Sequence, residues 1–269
     1  MKIRALVPTG HGINCELETR HALELAGFQR VDLVHLNFLA SGEVDPSEYQ
    51  IIVFPGGFLD GDDLGAAQAC ANRIRHSRVN HERLIDRLVG FVLDGGLILG
   101  ICNGFQLLTK LGMLPARDGV YTRRELTLTG NDSGRFEDRW VTLVVDTESE
   151  CIFTRGIERL YLPVRHGEGK VVGGDPFVAE ALVATHQVPV RYALPDDPQP
   201  TMEYPYNPNG SEQAIAGMCD PTGRVFGLMP HPEAFLHRTN HPRWTREALR
   251  EEGDGLALFR NAAAFLTAA

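Results

Sequence analysis

The chain lacks the features that mark several classes of protein. Its five cysteines are odd in number and widely spaced, with no C-x-x-C pair, which argues against a disulfide framework and a structural zinc site. No apolar run approaches the ~20 residues that a membrane helix requires, and the opening MKIRALVPTGHG is unlike a signal peptide. We therefore expect a cytoplasmic protein that spans no membrane and holds no metal.

Positive charge is also scarce, since 26 Lys and Arg residues are outnumbered by 35 Asp and Glu residues and leave a formal net charge of −9. A protein that binds nucleic acid concentrates Lys and Arg against the phosphates, so we expect no nucleic-acid partner. No phosphate-binding G-x-x-x-x-G-K-[ST] loop occurs either. With 43% hydrophobic residues in a chain of 269, the composition predicts a large globular core.

Apolar runs alternate with helical patterns through the first half of the chain. The predicted strands there are Lys2–Val7, Arg30–Leu36, Ile51–Phe54 and Leu97–Ile101. The predicted helices are Cys15–Ala26, Ala66–Asp94 and one that begins at Phe105. This alternation predicts an α/β fold with a doubly wound, mostly parallel sheet flanked by helices.

The second half reads as shorter strands among loops, closed by a helix. The predicted strands are Trp140–Val145, Tyr161–Val164, Leu182–Ala184, Val188–Tyr192 and Val225–Met229, and the predicted helix is Gly255–Ala268. No linker interrupts the pattern, so we expect one domain over residues 1–269.

Three glycine-containing turns follow predicted strands, at residues 8–12, 55–57 and 100–104. Ligands of open α/β sheets bind outside the carboxyl ends of the strands. These turns therefore predict one site at that edge of the sheet.

The turn at residues 100–104 places Cys102 in a G-x-C-x-G arrangement between a strand and a helix. This is the pattern of a nucleophile elbow, in which glycines allow the sharp turn and the helix N-terminus favours the reactive thiolate. The amide of Asn103 is then a candidate donor to a developing oxyanion. The alternative, a buried structural thiol, is our expectation for the other four cysteines.

A catalytic thiolate needs a histidine that moves protons and a third group that orients it. Two segments offer a His and a Glu two residues apart, His231-Pro-Glu233 and His166-Gly-Glu168. In each, both side chains could point the same way from an extended backbone. The residues alone do not separate the two.

Six ordered blocks cover most of the chain and resemble the class I glutamine amidotransferases, in particular the members that serve purine biosynthesis. The blocks are GINCELET (12–19), FPGGFLDGDDLGA (54–66), LGICNGFQLL (99–108), TGNDSGRFEDRWV (129–141), RHGEGK (165–170) and NPNGSEQAIAGMCDPTGRVFGLMPHPE (207–233).

The resemblance implies a flavodoxin-like fold and a triad of Cys102, His231 and Glu233 that hydrolyses glutamine to glutamate and ammonia. It implies an oxyanion hole formed by the amides of Gly57 and Asn103. The positions where this family lines its glutamine site are Gln106, Asn131, Ser133 and Phe136. The block that contains His166 is expected near the glutamine pocket or at a subunit interface.

The resemblance also implies partners. Ammonia would pass to a large synthase subunit, with a small accessory subunit in the same complex, and ATP and magnesium would bind to the synthase subunit. This chain would then need no cofactor of its own.

The chain departs from the family pattern in two ways. It is longer than a minimal glutaminase, and we place the excess at residues 68–87 and 237–253, where it could dock the partner, cap the site or only decorate the surface. GHGINCE also replaces the more usual P-G-T-N-C-D, a change that affects the local contact surface.

Two other interpretations compete with this one. A different Cys hydrolase or chaperone could use a similar elbow, and a flavodoxin-like binding module could carry an inert Cys and His. The ordered blocks between Asn207 and Glu233 count against the first. An assay for glutamate formed from glutamine separates the second from an enzyme.

Overall fold

The structure is a computed structural model that describes residues 2–175 and 177–268. Its strands are β1 (Arg4–Thr9), β2 (Arg30–His35), β3 (Ile51–Phe54), β4 (Arg78–Val79), β5 (Glu82–Arg83), β6 (Leu97–Ile101), β7 (Leu126–Thr129), β8 (Glu137–Val145), β9 (Arg159–His166), β10 (Lys170–Gly173), β11 (Val190–Ala193), β12 (Ile215–Cys219) and β13 (Val225–Leu228). Its helices are α1 (Glu16–Leu25), α2 (Leu36–Ser41), α3 (Gln68–His76), α4 (Leu84–Leu93), α5 (Asn103–Leu111), α6 (Val178–Ala184) and α7 (Leu256–Ala268).

Within the described residues, nine strands form the main sheet in the order β2-β1-β3-β6-β13-β12-β11-β8-β9. The pairs from β2 to β13 are parallel. The pairs from β13 to β9 are antiparallel and come from the second half of the chain. The predicted α/β class, with a parallel sheet flanked by helices, is confirmed, and the antiparallel strands extend that sheet.

The strand directions determine which side chains meet. Because the direction reverses at each of the four antiparallel pairs, β9 runs the same way as β13. The carboxyl ends of β1, β3, β6, β13 and β9 therefore lie at one edge of the sheet. Every residue of strands β3 and β6 is buried. Because buried parallel strands are packed on both faces, the turns that follow β3 and β6 start from fixed positions.

Two sequence predictions were wrong. The helix expected over Ala66–Asp94 is divided into α3 and α4 by the hairpin β4–β5, whose turn residues Asn80 and His81 both have positive φ. Two such residues suit a tight hairpin turn, and the helical spacing on either side hid it. Residues 182–184, expected as a strand, end helix α6, where Val178, Ala179 and Leu182 form a buried helical face.

The two predicted insertions are both attached to the core. Helix α3, in the first, buries Cys70, Ala71 and Ile74. In the second, His241 is 4% exposed and packs against Trp140. Whether they are additions relative to the family stays a prediction.

Across residues 2–175 and 177–268, no helix combines the length and the apolar character that crossing a membrane requires.

Candidate active site

Cys102 lies in a strained turn between β6 and α5. Its φ is 50° and its ψ is −101°, a conformation that a non-glycine residue rarely adopts. Gly104 makes the turn possible, because a Cβ there would lie 2.1 Å from the carbonyl oxygen of Phe54. The Cys102 amide donates to the carbonyl oxygen of Leu228 at 2.8 Å, which ties the turn to β13. The geometry is that of a nucleophile elbow.

His231 follows β13 at the same edge and is held on two sides. Its backbone amide donates to the Pro163 carbonyl oxygen at 2.8 Å. Its ring Nδ1 lies 2.6 Å from Glu233 Oε1, and the two side chains are 3% and 0% exposed. A carboxylate can only accept, so Nδ1 carries a proton in either charge state, and Nε2 carries a proton in the imidazolium and a lone pair in the neutral ring. Nε2 is buried and has no hydrogen-bond partner among the described residues.

Burial disfavours the charged form of His231, but the neighbouring Glu233 carboxylate and Cys102 sulfur favour it more strongly. The pKa of His231 is therefore raised well above its usual value. A thiolate beside an imidazolium is the reactive pair of a cysteine hydrolase.

The second H-x-E segment lies at the end of β9, in the same region, but its two side chains do not pair. His166 Nδ1 lies 3.1 Å from Asn131 Oδ1. Glu168 instead accepts from the backbone amide of Ala66 at 3.0 Å. Burial and the nearby His231 lower the pKa of His166 to about 4, so His166 is neutral at pH 7. Of the two histidines, only His231 has an orienting carboxylate.

A cavity of about 140 Å³ opens beside Cys102. It is lined by Asn14, Cys15, Gly57, Phe58, Asp62, Cys102, Gln106, Phe136, Arg165, His166, Gly167, Glu168 and His231. The loops after β1, β3, β6, β13 and β9 all contribute, as expected from the strand directions.

The residues predicted from sequence as glutamine contacts fall into two groups. Gln106 and Phe136 line the cavity, although Gln106 already donates to the Glu168 carbonyl oxygen at 2.6 Å and accepts from Asn103 at 3.0 Å. Asn131 and Ser133 are not among the lining residues. Asn131 lies behind the cavity and donates to the carbonyl oxygen of residue 166 at 2.8 Å.

Of the two predicted oxyanion donors, Gly57 lines the cavity, and Asn103 directly follows the lining residue Cys102. Gly57 has a φ of 147°, and a Cβ there would lie 2.6 Å from the Gly12 carbonyl oxygen, so only glycine fits. Asn103 begins α5 directly after Cys102, and its side chain accepts from the Leu59 amide at 3.0 Å. That contact links the turn after β3 to the turn after β6.

The cavity residues that sequence reasoning did not single out include Cys15, Asp62 and Arg165. Cys15 was expected to be structural, yet its sulfur lies 4.0 Å from His231 Nδ1. The available signal was its place in the loop after β1, one of the turns expected at this edge. Arg165 lies 3.9 Å from Glu233 and is the first residue of the block that contains the second H-x-E pattern.

Among the described residues, donor atoms of Cys15, His231 and Glu233 lie within 4.8 Å of one another and could hold a soft metal ion. The short contact between His231 and Glu233 is a hydrogen bond, and a metal between those atoms would have to separate them. The trio therefore fits a proton-transfer pair with a neighbouring thiol better than a metal site.

Known proteins resemble this chain over almost its whole length. The model of the CobB/CobQ-like glutamine amidotransferase domain family matches residues 2–266. The phosphoribosylformylglycinamidine synthase subunit PurQ of Dehalococcoides mccartyi is 47% identical over 97% of this chain and 96% of its own length. The subunit of the same name in Methanococcus maripaludis is 42% identical over 96% of each chain. In the structure of PurLQS from Thermotoga maritima, one chain is 30% identical with a TM-score of 0.71, and the match covers 99% of this chain and 100% of that one.

Proposed function

Because the chain belongs to the CobB/CobQ-like glutamine amidotransferase domain family, we propose that it hydrolyses glutamine for a phosphoribosylformylglycinamidine synthase of purine biosynthesis. The observation that carries this proposal is the elbow cysteine in one cavity with a histidine whose Nδ1 is hydrogen-bonded to Glu233. The similarity to PurQ subunits, rather than the triad, supports the choice of acceptor, since glutamine amidotransferases share the triad.

The chemistry follows from the geometry. The Cys102 thiolate attacks the carboxamide carbon of glutamine, and the amides of Gly57 and Asn103 hold the developing oxyanion. His231 donates a proton to the departing nitrogen, and the C–N bond breaks to leave a thioester and ammonia. His231 then takes a proton from water, whose oxygen attacks the thioester and releases glutamate and the Cys102 thiolate. Glu233 orients the ring and stabilises its charged form throughout.

The ammonia is useful only at a second active site. The Thermotoga structure is of PurLQS, and we propose that this chain likewise assembles with a large synthase subunit and a small accessory subunit. ATP and magnesium would act in the synthase subunit, and Cys102, His231 and Glu233 supply the groups that glutamine hydrolysis needs without a cofactor.

The test is to supply glutamine labelled with ¹⁵N in its carboxamide to the chain alone and to the chain with its cognate synthase subunits. We expect glutamate from the complex and ¹⁵N in phosphoribosylformylglycinamidine. No glutamate under either condition would exclude the glutaminase. If glutamate forms but no ¹⁵N enters that product, the proposed acceptor of the ammonia is excluded.

A further inference from the structure

Besides His231 Nε2 at the catalytic centre, two buried hydrogen-bond acceptors of the cavity wall have no partner among the described residues. One is Asp62 Oδ1 and the other is His166 Nε2. Unpaired buried polar atoms are costly, so they indicate a group that the cavity receives from outside.

The acceptor character of His166 Nε2 follows from its neighbours. The Asn131 side-chain nitrogen donates to the carbonyl oxygens of Arg135 and His166, so its Oδ1 is the oxygen and accepts from the Gly169 amide at 2.9 Å. His166 Nδ1, 3.1 Å from this oxygen, must therefore carry the proton. In a neutral ring that leaves a lone pair on Nε2, and the side chain is 3% exposed.

The carboxylate of Asp62 lies in surroundings that disfavour its negative charge. Burial and the charges of Glu168 and Asp63 raise the pKa of Asp62. Glu168, its neighbour in the cavity wall, already accepts from the Ala66 amide. A cation placed against Asp62 would relieve both the burial and the repulsion between the carboxylates.

We propose that Asp62 Oδ1 and His166 Nε2 accept hydrogen bonds from the α-ammonium group of glutamine and so select the amino acid over amides that lack this group. The inference rests on the proposed function. An ammonium group supplies three N–H donors and a positive charge. It therefore complements two acceptors that have no partner among the described residues, one of which is a carboxylate. This assigns the second H-x-E segment to substrate recognition, with His166 as a binding residue.

The test compares two substrates of the assembled complex: glutamine and glutaric acid monoamide, which has the same carboxamide and terminal carboxylate but no amino group. For the parent protein we expect kcat/KM to favour glutamine strongly. In Asp62→Asn and in His166→Phe that preference should fall about 10- to 100-fold, the range for a hydrogen bond to a charged group. Because both rates come from the same preparation, the ratio does not depend on the folded fraction.

Asp63→Asn is the matched control, since Asp63 is the adjacent carboxylate but is exposed and outside the cavity lining. Its preference for glutamine should equal that of the parent. An unchanged preference in Asp62→Asn, with glutamine still hydrolysed by the parent, would overturn this inference alone. An unchanged preference only in His166→Phe would overturn the part assigned to His166. A parent complex that hydrolyses neither substrate would overturn the proposed function as well.

Discussion

Two segments of this molecule share the H-x-E pattern, lie at one edge of the sheet and border one cavity, yet their side chains are arranged differently. In the first, His231 and Glu233 pair at 2.6 Å. In the second, His166 and Glu168 turn to different partners, Asn131 and the Ala66 amide. The partner of the histidine, rather than the sequence pattern, determines whether the segment can move protons.

The surroundings of each histidine also determine whether its ring is charged. A carboxylate beside His231 raises its pKa, whereas burial against a neutral amide lowers that of His166 to about 4. One histidine is therefore suited to hold and release a proton at neutral pH, and the other to accept a hydrogen bond without becoming charged.

The largest expected difference between the segments is in the rate of glutamine hydrolysis. His231→Ala should lower kcat by roughly 10³-fold or more, because the proton shuttle is lost. His166→Ala should lower kcat by less than about tenfold and act mainly through KM. Steady-state kinetics of both complexes measure this. A larger kcat loss in His166→Ala would show that we assigned the roles to the wrong segments.

Substitutions of the two glutamates, Glu233 and Glu168, give a second comparison between the segments. Glu233→Gln keeps the shape but removes the charge that orients and stabilises His231, and we expect kcat to fall roughly 10²-fold. Glu168→Gln keeps an oxygen acceptor for the Ala66 amide, and kcat should change by less than about tenfold. Equal losses in the two variants would contradict a role for Glu233 through His231.

A smaller difference should appear in stability against pH. The folded-state pKa of His166, about 4, lies below its usual 6.5, so between these values the unfolded chain binds a proton that the folded chain does not. This residue should destabilise the fold by about 2 kcal/mol on going from pH 7 to pH 5. The raised pKa of His231 acts in the opposite sense, since its stabilising contribution is present at low pH and is lost as pH rises.

Urea unfolding at pH 5 and pH 7 measures these contributions. Relative to the parent, His166→Phe should lose less stability on acidification, and His231→Phe should lose more. The same change in both variants would mean that the two histidines do not differ in environment as described.

The sequence predicted where the site lies better than it predicted which residues line it. The parallel strands and their glycine turns place Cys102 and His231 at one edge because chain direction and strand order determine that edge. The residues alone did not separate the two H-x-E segments, because their difference depends on contacts with Asn131 and Ala66, which lie far away in sequence. Asp62 and Cys15 were missed because neither belongs to a catalytic pattern, and only the folded loops bring them to the cavity.

The secondary-structure errors have a similar origin. Residues 66–94 keep a helical spacing on both sides of Asn80 and His81, and periodicity alone does not detect a two-residue turn. Residues 182–184 are apolar and β-branched enough to suggest a strand, but the buried face of α6 begins at Val178 and includes Leu182. In each case packing against the rest of the chain decided between local alternatives.

The central claim is that Cys102 is the nucleophile of a glutaminase that feeds a separate synthase site. The most direct measurement is the rate at which the complex makes phosphoribosylformylglycinamidine from glutamine and from added ammonia, with Cys102→Ala compared with Cys151→Ala, a buried cysteine outside the cavity. We predict that Cys102→Ala abolishes the glutamine-dependent rate and preserves the ammonia-dependent rate, whereas Cys151→Ala preserves the ratio of the two. Equal loss of both rates in Cys102→Ala would contradict the account and make this cysteine structural.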